Sequence, residues 1–366
     1  MGPIKIRPEE AVTELTRMGE RLAASARVLR QLDEVEYGAT QKEEIYREDK
    51  VVLYRYKGAK APTAKVPLLI VYALVNRPYM VDLQDDRSLV KQMLAQGEDV
   101  YIIDWGYPDP SDRYVTLDDY INGWIRRCVD VVAKRHKMKA INILGICQGG
   151  AFSLCFTSIY PEKVKNLITM VTPVDFHTAD NMLSHWTRGM DVDLLVDTLG
   201  NVPGDLMNWC YLTLKPFRLN LQKYMGLMDV LDDKTEVENF LRMEKWIFDS
   251  PDQAGEAFRQ FVRDFYQGNK LMKGGLVIGD KKVDLKTIQR PVLNIFAEQD
   301  HLVPPDSSRA LKNLVGSKDY TELSFRGGHI GIYLGNGMMI DAPRPGTVVN
   351  VRPIYNPAHW FIRYGI

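Results

Sequence analysis

A doubly wound α/β sheet carrying an inserted helical cap is the architecture this sequence predicts, on three observations. Short, continuously apolar runs of strand length recur through the chain: Val66–Ala73, Val100–Asp104, Ile141–Ile146, Leu167–Val171 and Val292–Ala297. Apolarity at successive rather than alternate positions marks strands buried on both faces, as in a parallel sheet. From Phe176 to Asp284 such runs largely vanish, and helical patterning rich in Met, Trp and Tyr replaces them. Finally, Gly145-Ile146-Cys147-Gln148-Gly149 lies between a strand-like run and a helix-like one. A strand, a sharp glycine-flanked turn and a helix are what a G-x-S-x-G nucleophile elbow requires, here with a thiol in place of the hydroxyl. Together these specify the α/β-hydrolase fold class.

Taken in order, residues 1–45 form an N-terminal segment, helical from about Glu9 to Leu32. Residues 46–175 make the first part of the sheet core. They begin with Val51–Tyr56, which alternates as a half-buried strand, and they place helices at Ser88–Ala95 and Leu117–Arg135 between the apolar runs. Residues 176–284 are the cap. Within it, Ser250-Pro251-Asp252-Gln253 reads as a helix start, with Ser at the N-cap, Pro first in the helix and Gln three residues after the cap. Residues 285–333 complete the core with Val292–Ala297 and Thr321–Phe325, and 334–366 form an atypical tail.

Composition narrows the function. With 366 residues the chain can bury one large core. Its 47 basic and 47 acidic residues cancel, which points away from nucleic acid and from anionic membrane as partners. The longest apolar run, Val66 to Val75, is too short to cross a bilayer. The N-terminus lacks the apolar centre of a signal peptide. Four cysteines without paired short spacings argue against a disulfide framework and against a zinc site. A reducing cytoplasm is the expected setting, and neither metal nor cofactor is expected.

The chemistry centres on Cys147. Glycines permit the strained elbow, and the side chain stands at the positive end of the following helix, which favours negative charge on sulfur. A thiol nucleophile needs a base, and the base an orienting acid, in the chain order nucleophile, acid, histidine. Asp300 follows the run Val292–Ala297, and His329 follows Thr321–Phe325 on a glycine-rich loop, so each sits at a strand end. The backbone N–H of Gln148, next after the nucleophile, is one expected oxyanion donor. The loop Tyr72–Tyr79 should supply the other, from Val75 N–H. The remaining histidines fit less well. His301 shapes the acid loop, and His136 ends a basic helix where a cation suits the dipole. His177 and His185 lie in the cap, and His359 in the tail. Cys128, Cys155 and Cys210 read as core residues.

Several segments carry a family resemblance: Leu69–Met80, Asp104-Trp105-Gly106, Leu144–Gly150, Phe248–Gln253 and Gln299–Pro305. From near the N-terminus to about Tyr333 the chain resembles the polyhydroxyalkanoate synthases, of the two-subunit, short-chain kind called class III. The resemblance implies (R)-3-hydroxybutyryl-CoA as substrate, a polyester product, and a PhaE-type second subunit. It also implies action at the surface of a polyester granule and assembly as a homodimer. It makes Cys147 the acyl-carrying nucleophile and His329 its base, with Asp300 helping to activate the acceptor 3-hydroxyl. A cysteine acyl-enzyme suits this reaction, because it is a thioester close in energy to the CoA thioester that forms it. Transfer to a hydroxyl then runs downhill, provided water is kept out. A thioesterase or esterase of the same fold, and an inactive partner- or granule-binding scaffold, are the alternatives.

Beyond Tyr333 the pattern changes. His329–Gly337, Asp341-Ala342-Pro343 and Trp360–Tyr364 resemble the last part of NlpC-type cell-wall cysteine peptidases, whereas the front part of such a peptidase is not recognisable. The turn- and proline-rich tail replaces the closing helix expected after the histidine. It is expected to leave a sheet face near His329 less covered.

Overall fold

The computed structural model describes residues 37–38, 40–85, 87–214 and 233–329, and the backbone of 332–335, 338–341 and 350–353. The predicted N-terminal helix and most of the tail, His359 included, lie outside the described residues.

Eight strands form the central sheet: β1 (Lys42–Glu48), β2 (Val51–Tyr56), β3 (Leu68–Val71), β4 (Val100–Asp104), β5 (Ile141–Ile146), β6 (Val164–Met170), β7 (Val292–Ala297) and β8 (Tyr320–Phe325). Their spatial order is β1-β2-β4-β3-β5-β6-β7-β8. The β1–β2 and β2–β4 pairs are antiparallel, and every pair from β4 to β8 is parallel. The continuous apolar runs have the predicted cause. On β3, Leu69 and Val71 pack into one core cluster while Leu68 and Ile70 pack into another on the opposite face. Successive side chains of a strand point to opposite faces, so a strand covered on both sides must be apolar throughout.

The sequence reading missed β1. Its residues, KEEIYRE, carry five charges and straddle the expected boundary at residue 45 between the N-terminal segment and the sheet core. An edge strand needs only one partner, and charges on an edge discourage pairing with another chain.

On one face, α1 (Leu89–Ala95) starts at Ser88, whose Oγ accepts the Lys91 N–H at 2.8 Å. On the other, a π-helical turn, Asp119–Ile125, leads into α2 (Arg126–Arg135), and α3 (Gln148–Ile159) is buried from Gln148 through Ser158. The stretch between β6 and β7 is mainly helical: α4 (Met182–Arg188), α5 (Val192–Leu199), α6 (Gly204–Leu214), α7 (Lys234–Phe248), α8 (Gly255–Phe261, continued by π-helical Val262–Gln267) and α9 (Lys270–Lys273). Aromatic contacts bind it to the core. Phe261 stacks on Phe265 with centroids 4.6 Å apart and meets Phe152 of α3 edge-on at 5.8 Å. No helix among the described residues is long and apolar enough to cross a membrane.

One local expectation is overturned. Ser250–Gln253 does not start a helix: α8 begins at Gly255 behind Ala254, which makes no side-chain cap. The polar groups of the false start are engaged elsewhere. Ser250 Oγ accepts from Asn76 Nδ2 at 2.9 Å and donates to Asn208 Oδ1. The Gln253 backbone pairs in both directions with Val202. Tertiary partners for the same groups outcompete a local capping box.

Candidate active site

Cys147 joins β5 to α3 with φ 54° and ψ −123°, a backbone conformation that side chains other than glycine rarely adopt. Holding it costs about 1–3 kcal/mol, which the surrounding structure must supply. The supply is visible. Cys147 N–H donates to Met170 O at 2.9 Å, and Gly150 N–H donates back to Cys147 O at 2.9 Å. The neighbouring glycines allow close approach. A Cβ on Gly149 would lie 2.2 Å from Val71 O, and one on Gly150 would lie 1.8 Å from Thr172 Oγ1. Any side chain at either position would push α3 off the sheet and open the turn.

The structure brings the three predicted residues together at the carboxyl ends of β5, β7 and β8, where ligands bind in open α/β sheets. His329 Nδ1 pairs with Asp300 Oδ2 at 2.7 Å. The other Asp300 oxygen accepts the N–H groups of Leu302 and Val303, each at 2.9 Å, and the carboxylate is fully enclosed. With Nδ1 so engaged, the other nitrogen of the His329 ring is left for Cys147, which lies close enough to raise the ring's pKa. Burial disfavours the charged imidazole. The Asp300 carboxylate and Cys147 outweigh it and raise the His329 pKa well above the usual histidine value.

Both expected oxyanion donors are open. Among the described residues neither Val75 N–H nor Gln148 N–H has a partner, and Val75 and Cys147 border the same core cluster. The neighbouring Leu74 N–H is taken, donating to Gln148 Oε1 at 3.0 Å.

Three phenols that the sequence reading missed lie near enough to Cys147 to feel its charge. Burial first, and the proximity of Cys147 with it, hold Tyr72, Tyr211 and Tyr266 above the ordinary tyrosine range and hence neutral. They come from the β3 end, α6 and the π-helical turn after α8, so no spacing in the sequence could have united them.

The other histidines and cysteines lie elsewhere. His177 Nε2 meets Tyr266 O at 2.8 Å and His185 Nε2 meets Ala179 O at 3.0 Å. His136 does end α2, but burial lowers its pKa instead of making it the expected cation. Cys128 and Cys155 are wholly buried, and burial pushes the Cys128 thiol up to about 12. Cys210 is only partly buried on α6, contrary to its reading as core. Only Gly204 and Asn208 of α6 are buried, so the helix leaves most of its side chains partly in solvent.

This strand order and strained elbow define an α/β-hydrolase, and the sequence profile of the alpha/beta hydrolase fold matches residues 66–335. A second profile, the N-terminus of poly-beta-hydroxybutyrate polymerase (PhaC), matches residues 17–93. The poly(3-hydroxyalkanoate) polymerase subunit PhaC of Allochromatium vinosum is 58% identical over 355 residues, covering 96% of this chain and all of the relative. That of Thiocystis violacea is 56% identical over 96% of this chain, and that of a Synechocystis species 52% identical over 85%. The chain belongs to the PhaC family of poly(3-hydroxyalkanoate) polymerases; it is an acyltransferase that polymerises 3-hydroxyacyl units into polyester. A match covering 96% of the chain necessarily continues past Tyr333, further than the resemblance read from the sequence alone.

Proposed function

We propose that Cys147 carries the growing acyl chain as a thioester and that (R)-3-hydroxybutyryl-CoA is the chief monomer donor. The observation that carries this reading is the linked arrangement of Cys147, His329 and Asp300 on a strained elbow in a chain of the PhaC family. In the loading step the proton shared by Cys147 and His329 lies on the imidazole, and the sulfur attacks the thioester carbonyl. The oxygen that becomes negative is received by the Val75 and Gln148 N–H groups. As the C–S bond to CoA breaks, His329 returns the proton to the departing sulfur. In the extension step His329 takes the proton from a 3-hydroxyl, whose oxygen attacks the acyl-cysteine, and the proton is then shared again with the released Cys147 sulfur. Bonds and protons balance with the chain and its two substrates alone, so neither metal nor cofactor enters.

Asp300 acts through His329 in this reading. Its two oxygens are occupied and its side chain is enclosed, which leaves no free edge for the acceptor hydroxyl. The apolar, aromatic stretch above the sheet favours acyl transfer over hydrolysis by excluding water. A PhaE-type second subunit, a second copy of this chain and the granule surface, all in a reducing cytoplasm, complete the proposal. Exposed apolar side chains on α5 and α6, Leu194 at 65% and Trp209 at 69%, are the kind of surface such contacts cover.

The test is to incubate the full chain and its Cys147→Ala variant with (R)-3-hydroxybutyryl-CoA and PhaE, measuring released CoA thiol and polymer together. Wild type should give both and the variant neither. Turnover surviving in the variant would defeat the nucleophile assignment, and free 3-hydroxybutyrate in place of polymer would make the site a thioesterase.

A further inference from the structure

Leu74, whose carbonyl shares a peptide unit with Val75 N–H, is held by two glutamines from different parts of the fold. Leu74 N–H donates to Gln148 Oε1 at 3.0 Å, and Leu74 C=O accepts from Gln253 Nε2 at 3.1 Å. All three residues are buried, at 8% exposure or less. Gln148 belongs to the elbow helix; Gln253 belongs to the segment after α7. Gln253 is itself fixed, with its backbone paired to Val202 and its side-chain amide donating also to Pro251 O at 3.0 Å. Beyond Leu74 the loop is tied to the same segment again. Asn76 Nδ2 donates to Ser250 Oγ at 2.9 Å, Trp246 Nε1 donates to Arg77 O at 2.9 Å, and Tyr79 Oη donates to Asp249 Oδ2 at 3.0 Å.

From this geometry we infer that Gln253 is a positioning residue for acyl transfer: it holds the carbonyl of the 74–75 peptide while Gln148 holds the preceding one, and so it aims Val75 N–H at the oxygen of the reacting carbonyl. The two arms have opposite polarity. The Gln148 side chain accepts and the Gln253 side chain donates, so each holds one backbone group of Leu74. The amide at 74–75 is a rigid plane, and fixing the Leu74 carbonyl, which belongs to that plane, fixes the Val75 N–H direction. Because Gln253 lies outside the sheet core, the clamp also makes the oxyanion site depend on how the segment from Trp246 to Gln253 is seated. The inference rests on the reading of Cys147 as nucleophile and Val75 as oxyanion donor.

The discriminating experiment compares two reactions of the same sulfur. Acylation by (R)-3-hydroxybutyryl-CoA develops a negative oxygen and uses the oxyanion donors, whereas alkylation by iodoacetamide is a displacement at carbon and does not. In Gln253→Leu, first-turnover acylation followed by intact mass should slow by about 10- to 100-fold, less than the loss of a whole donor. The iodoacetamide rate should stay within about twofold. Gln253→Glu, which keeps the shape but presents an acceptor to a carbonyl, should behave like Gln253→Leu. If both reactions slow together the role is merely structural. If neither slows in either variant the clamp does not aim the donor, and both results overturn the inference. Absence of an acyl adduct on Cys147 in wild type would instead overturn the nucleophile reading beneath it.

Discussion

Two histidines face aspartates at opposite ends of one sheet, and the two pairs have opposite electrostatics. At the carboxyl end, His329 meets Asp300 at 2.7 Å, and burial is outweighed by Asp300 and Cys147, so the ring's pKa rises. At the amino end, His136 lies 3.4 Å from Asp99 Oδ2 and hydrogen-bonds the Tyr101 hydroxyl at 2.9 Å. There burial dominates, Asp99 opposes it, and Arg55 and Arg135 add to it, so the pKa falls. The difference lies in what each carboxylate already serves. Asp99 receives the Arg55 fork at 2.7 and 2.9 Å, so the guanidinium that pairs with it also acts on the imidazole and opposes its protonation. Asp300 is held by two uncharged backbone N–H groups and directs its charge to His329. An aspartate beside a histidine makes a base only when no cation has claimed it first.

The largest expected effect breaks the comparison at its two acids. Asp300→Asn should reduce CoA release by roughly 10²–10⁴-fold, since the ring loses its orienting charge. Asp99→Asn should leave CoA release within about twofold. It should lower stability by about 1–3 kcal/mol, because the partly buried Arg55 loses a charge-assisted partner. Initial-rate assays and thermal melts of the two variants check this, and a comparable rate loss in Asp99→Asn would erase the distinction.

A smaller effect appears in pH dependence. The folded chain favours protonated His329, so that contribution to stability is complete below the ordinary histidine pKa of about 6.5 and is lost as pH rises through the raised folded value. The stability gap between wild type and His329→Gln should therefore narrow from pH 6 to pH 9. His136, lowered when folded, works in reverse: the gap to His136→Gln should narrow as pH falls below 6.5. Urea melts across this range measure both slopes, and slopes of the same sign would contradict the opposed shifts.

The smallest effect concerns Glu98, beside Asp99. Burial first, and the Asp99 charge second, raise its pKa to about 7 from 4.5, and its Oε2 has no hydrogen-bond partner. An unfolded glutamate loses its proton near 4.5 while the folded one keeps it until about 7, so stability falls as pH rises across that window. Glu98→Gln should raise Tm at pH 8 by about 1–2 °C, corresponding to about 1 kcal/mol, and leave it unchanged at pH 4. Calorimetry at the two pH values tests the sign.

Much of the scaffold was legible because it is local. Val100–Asp104, Ile141–Ile146 and Val292–Ala297 are strands with the predicted bounds, since burial on both faces writes itself into consecutive apolar residues. Cys147 and Asp300 were legible because each follows such a strand, and His329 because it follows the strand-like run Thr321–Phe325, which is only half-buried; the fold converts strand ends into neighbours. The β1 strand was not, as a charged edge leaves no apolar signature. Ser250–Gln253 misled because its capping pattern is genuine in isolation and loses only to partners 42 to 179 residues away.

By itself the sequence determined the fold class, the elbow and the order of nucleophile, acid and base, all of which depend on residue type and short-range pattern. Tertiary structure decided the rest. It set which backbone N–H stays open beside the thiol, which histidine gains charge and which loses it, and which glutamines grip Leu74. These depend on distances and dielectric surroundings among groups far apart in the chain, and electrostatic and hydrogen-bond energies are set by those distances and not by order along the sequence.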